Sequence, residues 1–508
     1  MDNNRIKDKT IPEKAINAFF LLISALGCIM SIRMDLVGRS LWYDEAALAW
    51  SFTKRDFFSL VSEPLEHVQA APVGWLYIVK VFTLIFGNTD ITLRIPSIVA
   101  YALTLLLIYL VLKDVVKTKY PLAGAAVAAN MELMLQYSNV FKPYMSDCVI
   151  TLFMVCLFFL YEEGRIKALT VTILFAVLIW FSNPACFVGG GLLASGFIYS
   201  LCEKEYNKLK QYIIIGVPMG LSFLADYLFW LKDTDERMHA FWEPYRFPLL
   251  PGPGNWAKLK EMTGFLTEPL SYLTIPVMIL FFWGLVFTIK KKNRYVTAVY
   301  ITVLLSLLAS SLGFFPVNKR MWLFIYPLLI ITALFSLDTI MFVSDNKRVG
   351  ILSVVIMLAL VLSENGIIHY FDGENVYWPG YEVKDEYNYL VSVIQADEKV
   401  FVNGSQTPIF AYYNDYEDEL NDMGNEVRLG RATSAGAFKK KDLSYIIDSK
   451  KCYIVMGNTW DDPSCEKLFT EAKKHGYIDM VYNEHETPLF YYCEKEADRK
   501  PESFDTWK

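Results

Sequence analysis

The feature that most constrains this chain is a recurrence of apolar runs, each near the length a helix needs to cross about 30 Å of hydrocarbon. They fall roughly at 15–32, 93–112, 122–137, 145–161, 168–182, 185–202, 212–231, 272–289, 295–312, 322–342 and 349–368, which predicts about eleven transmembrane helices. In lipid, backbone polar groups must be satisfied within the segment, so the reading is an α-helical polytopic membrane protein. A hydrophobic content of 54% and a mean hydropathy of +0.29 agree with it. Basic residues sit in short clusters between the runs and form no patch interleaved with aromatics, so no nucleic-acid partner is expected.

Charge orients the spans. Arg5, Lys7, Lys9 and Lys14 precede the first run, and no small-x-small cleavage site precedes Arg33, so that run reads as a retained span with a cytoplasmic amino terminus. The stretch 72–86 is short, aromatic and carries Lys80, which suits a helix lying in the interface. If it does not cross, Lys113, Lys117, Lys119, Arg165, Lys167, Lys204, Lys208, Lys210, Lys290, Lys291, Lys292, Arg294, Lys347 and Arg348 all fall inside; if it crosses, all of them flip outside. The expected outer segments are therefore 33–92, 138–147 and 232–271, the last containing the Pro/Gly run 248–254.

The chain changes character at Asp372. From there on, 27 acidic residues face 16 basic ones, a balance of −11, and short β-like runs (399–402, 452–456, 477–482, 489–493) alternate with helical stretches (383–395, 463–475). The organisation is thus a transmembrane domain, 1–371, followed by a small extracytoplasmic α/β domain, 372–508. Cys28, Cys148, Cys156, Cys186 and Cys202 lie in or beside apolar runs, and the three tail cysteines, Cys452, Cys465 and Cys493, are an odd number that defines no disulfide framework.

Two outer motifs carry chemistry. Leu41-Trp42-Tyr43-Asp44-Glu45-Ala46 places two adjacent carboxylates just outside the first span, where they repel each other and are costly to desolvate. Asn139-Val140-Phe141-Lys142-Pro143-Tyr144-Met145-Ser146-Asp147 falls at the outer mouth of the third and fourth spans. There a lysine can hold a phosphate as a point charge and Pro143 breaks the helix so that the backbone can line a site. Asp147 also reads as an N-cap of the fourth span, and Lys142 as a residue snorkelling at a helix end.

Together with Gln69-Ala70-Ala71-Pro72-Val73-Gly74-Trp75-Leu76, Phe86-Gly87 and Leu93-Arg94-Ile95-Pro96-Ser97, these motifs resemble bacterial glycosyltransferase family 39 proteins. Those proteins belong to the GT-C superfamily, with the protein O-mannosyltransferases and the lipid A aminoarabinose transferases. The resemblance is specific from about 41 to 147. It implies a GT-C-like fold and transfer of a monosaccharide from a polyprenyl-phosphate donor to a lipid, protein or polysaccharide acceptor outside the cytoplasm. It also implies that Asp44 is the general base, with Glu45 beside it and Asp147 as the second acidic site residue. An inverting transfer needs a carboxylate opposite the leaving phosphate and positive charge to steady that phosphate. Lys142 is the first candidate for the charge, with Arg94, Lys319 and Arg320 behind it; Tyr144, His67, Trp242 and Arg246 are candidates for the acceptor side. Relatives often carry Lys or His beside the Pro of the interfacial motif, where this chain has Ala70 and Ala71. No cofactor is expected: a polyprenyl monophosphate leaves with less charge than a pyrophosphate, so the acids need not hold a divalent metal.

The rival reading is a polytopic transporter or lipid flippase. Such proteins place ionisable residues near the bilayer midplane, whereas here the acids cluster at the ends of spans, Asp226 being the position to check.

Overall fold

A computed structural model describes residues 13–231, 240–248, 254–291, 293–343, 347–371, 373–378, 381–417, 419–430, 440–457 and 463–500. Arg5, Lys7, Lys9, Lys292 and most of the Pro/Gly run 248–254 lie outside the described residues. The chain divides into two compact units that interleave along the sequence. The first comprises Met1–Arg33, Ala71–Ile78 and Arg94–Phe371; the second comprises Met34–Ala70, Val79–Leu93 and Asp372–Lys508.

The first unit is helical. Over the described residues of the whole chain, seven helices are long and apolar enough to cross a membrane: Glu13–Leu36, Asp90–Val115, Tyr144–Glu162, Ala185–Cys202, Tyr206–Leu231, Arg294–Ser311 and Ile351–His369. Two further predicted spans are shorter apolar helices, Ala168–Phe181 and Ile325–Ile340. A third is a pair, Trp256–Leu270 and Thr274–Val286, bent by 103°. The stretch 122–137, read from sequence as one span, is two helices, Leu122–Asn130 and Glu132–Ser138. The break is used: the Asn130 amide donates to Val361 O at 2.8 Å and to Glu364 O, and its Oδ1 accepts from Ile367 N at 3.2 Å. Asn130 thus satisfies backbone groups freed where another helix ends.

A glycine permits one close helix contact. Ala185–Cys202 packs against Arg294–Ser311 through Gly191, where a Cβ would lie 2.2 Å from Thr302 Oγ1 and 2.7 Å from Ala298 O. This is the close approach that small residues permit between membrane helices. At one end of this bundle Arg294 pairs with Glu162 and, at 3.1 Å, with Glu203, while Tyr212 donates to Glu162 at 2.5 Å. Lys117, Arg165 and Lys208 join the same cluster through Glu163 and Glu205. Several loops that the charge rule places on one side therefore meet at one end. The other end of Tyr144–Glu162 is the Lys142–Asp147 mouth, about 28 Å away for 19 residues.

Charged residues avoid the middle of the long spans. In all seven, every Asp, Glu, Lys and Arg lies within the first or last two turns, and Asp226 falls just before the terminal π-turn Tyr227–Leu231. Burying an ion at mid-depth costs several kcal/mol, so this distribution is the one a bilayer enforces where no transport path is needed.

The second unit contains a five-stranded sheet in the order β2-β1-β3-β5-β4. Its strands are β1 Lys399–Val402, β2 Val427–Leu429, β3 Lys451–Val455, β4 Tyr477–Glu484 and β5 Thr487–Cys493. β1 is parallel to β2 and β3, and β5 is antiparallel to β3 and β4, with Phe401 opposite Ile454 and Ile454 opposite Phe490. Alternation puts Phe401, Ile454 and Phe490 on one face, where they pack with Ile446, Leu468 and Phe469 of the helices Lys440–Ser449 and Pro463–Ala472. On the opposite face Tyr389 of the helix Val383–Val393 stacks on Tyr482 of β4 at 4.8 Å. The sheet is covered on both sides, as parallel pairing requires. Cys452 and Cys493 are both unbridged.

Candidate active site

In the second unit, the acidic pair opens the helix Tyr43–Thr53, with Trp42 as its N-cap residue. Glu45 is fully buried and is held by Arg39, itself 2% exposed, at 2.8 Å. The same Glu45 carboxylate accepts the Trp42 N–H at 3.2 Å, so it also closes half of a capping box. Arg39 lies over the Trp378 ring at 5.7 Å and Trp42 stacks on the same ring at 4.6 Å. Asp44, one residue earlier, is half-buried in the first turn, where the helix dipole favours a carboxylate. Burial, with the charge of Asp44 and the phenol of Tyr381 adding to it, raises the pKa of the Tyr43 phenol. His67 has a left-handed backbone, φ 50°, and stacks on Trp50 at 5.1 Å.

In the first unit, residues 139–143 link the helices Glu132–Ser138 and Tyr144–Glu162, and Ser97 anchors the link by donating to Val140 O at 2.7 Å and Lys142 O at 3.3 Å. Lys142 is 4% exposed, too buried for a lysine snorkelling into solvent. Arg94, buried at 0%, stands one turn before Ser97 on the same face of its helix. Asp147 does not cap the fourth predicted span. Pro143 occupies the N-cap position, and Asp147 sits in the first turn beyond it. There it is 7% exposed, with the Ser182 hydroxyl beside its carboxyl. Tyr144 is buried edge-on against Tyr137, 5.3 Å between rings.

The interfacial motif braces this mouth. Trp75 stacks on Phe141 at 5.1 Å, and at Gly74 a Cβ would lie 2.6 Å from the Phe181 ring, so only glycine lets the helix lie on it. The indole of Trp230 donates to Ala71 O at 2.8 Å. In the same unit Arg320 lies over Trp242 at 5.5 Å, and Arg246 packs on Gly313, whose φ is +83°. Val317 N donates to Tyr245 O at 2.8 Å, joining the two loops. Lys319 instead pairs with the exposed Glu268 at 2.8 Å.

The sequence candidates therefore fall into three groups. Asp44, Glu45 and His67 belong to the second unit; Lys142, Tyr144, Asp147 and Arg94 line one mouth of the first; Trp242, Arg246 and Arg320 cluster on its later loops. Sequence reasoning missed Arg39 and Ser182. Arg39 is six residues from Glu45, a spacing that no helix or strand brings together, and Ser182 is distant in sequence and unremarkable in type.

Residues 70–230 match the family model described as dolichyl-phosphate-mannose-protein mannosyltransferase. The fold is similar to that of ArnT from Cupriavidus metallidurans in the apo state, with 10% identity, 96% of this chain and 100% of that chain covered, and a TM-score of 0.53. It is likewise similar to the same protein bound to undecaprenyl phosphate, at 9% identity, 96% and 99% coverage and a TM-score of 0.53. The Archaeoglobus fulgidus oligosaccharyltransferase tethered with an acceptor peptide matches at 10% identity, 94% and 74% coverage and a TM-score of 0.51. No curated protein matches the sequence. The chain is a multi-pass membrane protein that shares the fold of these membrane proteins.

Proposed function

We propose that this protein moves a monosaccharide from a polyprenyl-phosphate donor to an acceptor hydroxyl on the extracytoplasmic face, with inversion and with Asp44 as general base. The observation that carries the reading is the division of labour in the acidic pair: Arg39 and the helix cap engage Glu45, while Asp44 stands half-buried one residue away. Two carboxylates in different environments take different roles. Asp44 removes the acceptor proton as the acceptor oxygen attacks the anomeric carbon, and the bond to phosphate breaks with its electron pair leaving on the phosphate. Glu45 orients the helix that carries Asp44. Lys142 and Arg94 hold the phosphate as point charge and planar fork, with Arg320 behind them. Asp147 and Ser182, buried side by side, receive hydroxyls of the sugar. The donor class is supported by the undecaprenyl phosphate bound to ArnT and by the family model. The confinement of charge to span ends favours transfer over transport.

The test is turnover of the purified full chain with a synthetic polyprenyl-phosphate sugar. Asp44→Asn should lower kcat by about 10²- to 10⁴-fold, the usual contribution of a general base, with insertion unchanged; retention of more than about a tenth of wild-type turnover removes Asp44 from that role. The reaction is proposed to need no metal. A chelator should leave it intact and Lys142→Ala should impair it, whereas loss on chelation with recovery in Mg²⁺ or Mn²⁺ would make the acids metal ligands.

A further inference from the structure

The residues just before Asp44 present three consecutive backbone N–H groups to side chains. Ser40 N donates to Glu382 Oε2 at 2.8 Å, Leu41 N to the Tyr413 hydroxyl at 2.8 Å and Trp42 N to Glu45 Oε2 at 3.2 Å. The first two acceptors come from the 372–508 stretch, and both belong to a buried network. Glu382 also accepts from Trp378 N at 3.2 Å, and its own N–H donates to Thr487 Oγ1 at the start of β5, also at 3.2 Å. The Tyr413 hydroxyl donates to Asp90 Oδ2 at 3.1 Å, and Lys384 pairs with the same oxygen at 3.0 Å while its N–H donates to Ser40 Oγ at 3.0 Å. Ser40, Asp90, Glu382, Tyr413 and Thr487 are each no more than 6% exposed.

We infer that Tyr413 and Glu382 are positioning residues for Asp44, holding the approach to its helix through the amides of Leu41 and Ser40. The inference rests on the base role proposed for Asp44 and gives the carboxyl-terminal α/β region a part in the reaction. A buried N–H has a strong need for an acceptor, so these two bonds fix where the extended approach 40–42 ends and the helix begins. The direction of that first turn sets the position of the Asp44 carboxylate, and a displacement near 1 Å at a reacting group costs on the order of a hundredfold in rate. Further down, Trp50 of the helix Tyr43–Thr53 donates to Asp415 at 2.5 Å, so the helix Thr407–Glu417 that carries Tyr413 holds both that helix and the approach to it.

The experiment compares the full-length wild type with Tyr413→Phe, which deletes the acceptor of Leu41 N–H and keeps the ring. Hydrogen exchange is followed over peptides covering 40–48, beside kcat and donor KM per folded molecule. Exchange there should quicken, and kcat should fall about ten- to a hundredfold at unchanged KM. Glu382→Gln, which keeps an oxygen for Ser40 N–H, should retain more activity than Glu382→Ala. Tyr445→Phe, removing a phenol hydroxyl elsewhere in the α/β region, should change nothing. Unchanged exchange over 40–48, or unaltered kcat per folded molecule, would overturn the inference. Should Tyr413→Phe not fold, the two Glu382 variants decide: equal loss in both means a structural bond only. If the wild type shows no transfer, the functional reading fails, and the exchange data alone still settle whether Tyr413 holds the approach to this helix.

Discussion

Glu386 gives the second unit a stability that should fall as pH rises. It lies one turn after Glu382 on the helix Val383–Val393, is fully buried, and neither carboxylate oxygen has a hydrogen-bond partner among the described residues. Burial holds its pKa well above the ordinary glutamate value. The charged and titratable groups around it do not help it ionise: Asp385 on its own helix and Glu382 at the helix cap are raised by burial as well, and the Tyr482 phenol facing it from β4 is raised, burial first and nearby acids second. A group whose folded pKa is raised contributes stability that is complete below the unfolded value, about 4.5, and is lost as pH climbs towards the folded value. The loss runs at about 1.4 kcal/mol per pH unit between the unfolded and the folded value. Glu386→Gln mimics the neutral acid and should remove this slope. Thermal unfolding of wild type and variant in lipid nanodiscs between pH 4.5 and pH 7 gives the difference, in which other titrating groups cancel. The variant should match the wild type at pH 4.5 and gain on it steadily above. A difference that is flat with pH, or one that increasingly favours the wild type, would mean that the carboxylate is ionised and matched, and the reasoning would fail.

Arg39→Met should cost about 3–5 kcal/mol, because it strands the Glu45 charge in a buried site, while Glu45→Gln should cost less; thermal melts of both variants check the order. Gly74→Ala should cost about 1–3 kcal/mol by driving a methyl into the Phe181 ring, and Phe181→Leu should restore most of that loss in the same melts. Reporters fused after Lys119, Lys210 and Lys292 should read as cytoplasmic and one fused after Lys508 as external. An internal carboxyl terminus would remove the proposed location of the site.

What could be read in the sequence was whatever a periodic or compositional signal protects. Span ends were legible because lipid excludes charge from the middle of a helix, and the strands β1, β3, β4 and β5 were each anticipated to within a few residues by their β-branched and aromatic content. β2 was not, because three residues at the sheet edge are too few to show a period. The pair Asp44-Glu45 was visible as a motif, but its internal division was not. It depends on Arg39, which reaches Glu45 through the extended approach to Trp42 that lies between them.

The helix Thr407–Glu417 shows why the supporting shell was hidden. A sequence reveals a helix when one face is wet and the other dry. Here Thr407, Ile409, Phe410, Ala411, Tyr412, Tyr413 and Asn414 are all buried, so apolar and aromatic residues run on without a 3.6-residue period and read as well for a strand. The cause of that burial is the function proposed for it. One side of the helix packs on Val383–Val393 through Phe410 and Tyr387, another on Tyr43–Thr53, to which Asp415 and the Tyr413 hydroxyl are bonded directly or through the approach at Leu41. An element that must hold another on two sides has no face left to give to water. The residues that fix a reacting group most firmly are, for that reason, the ones whose local pattern says least.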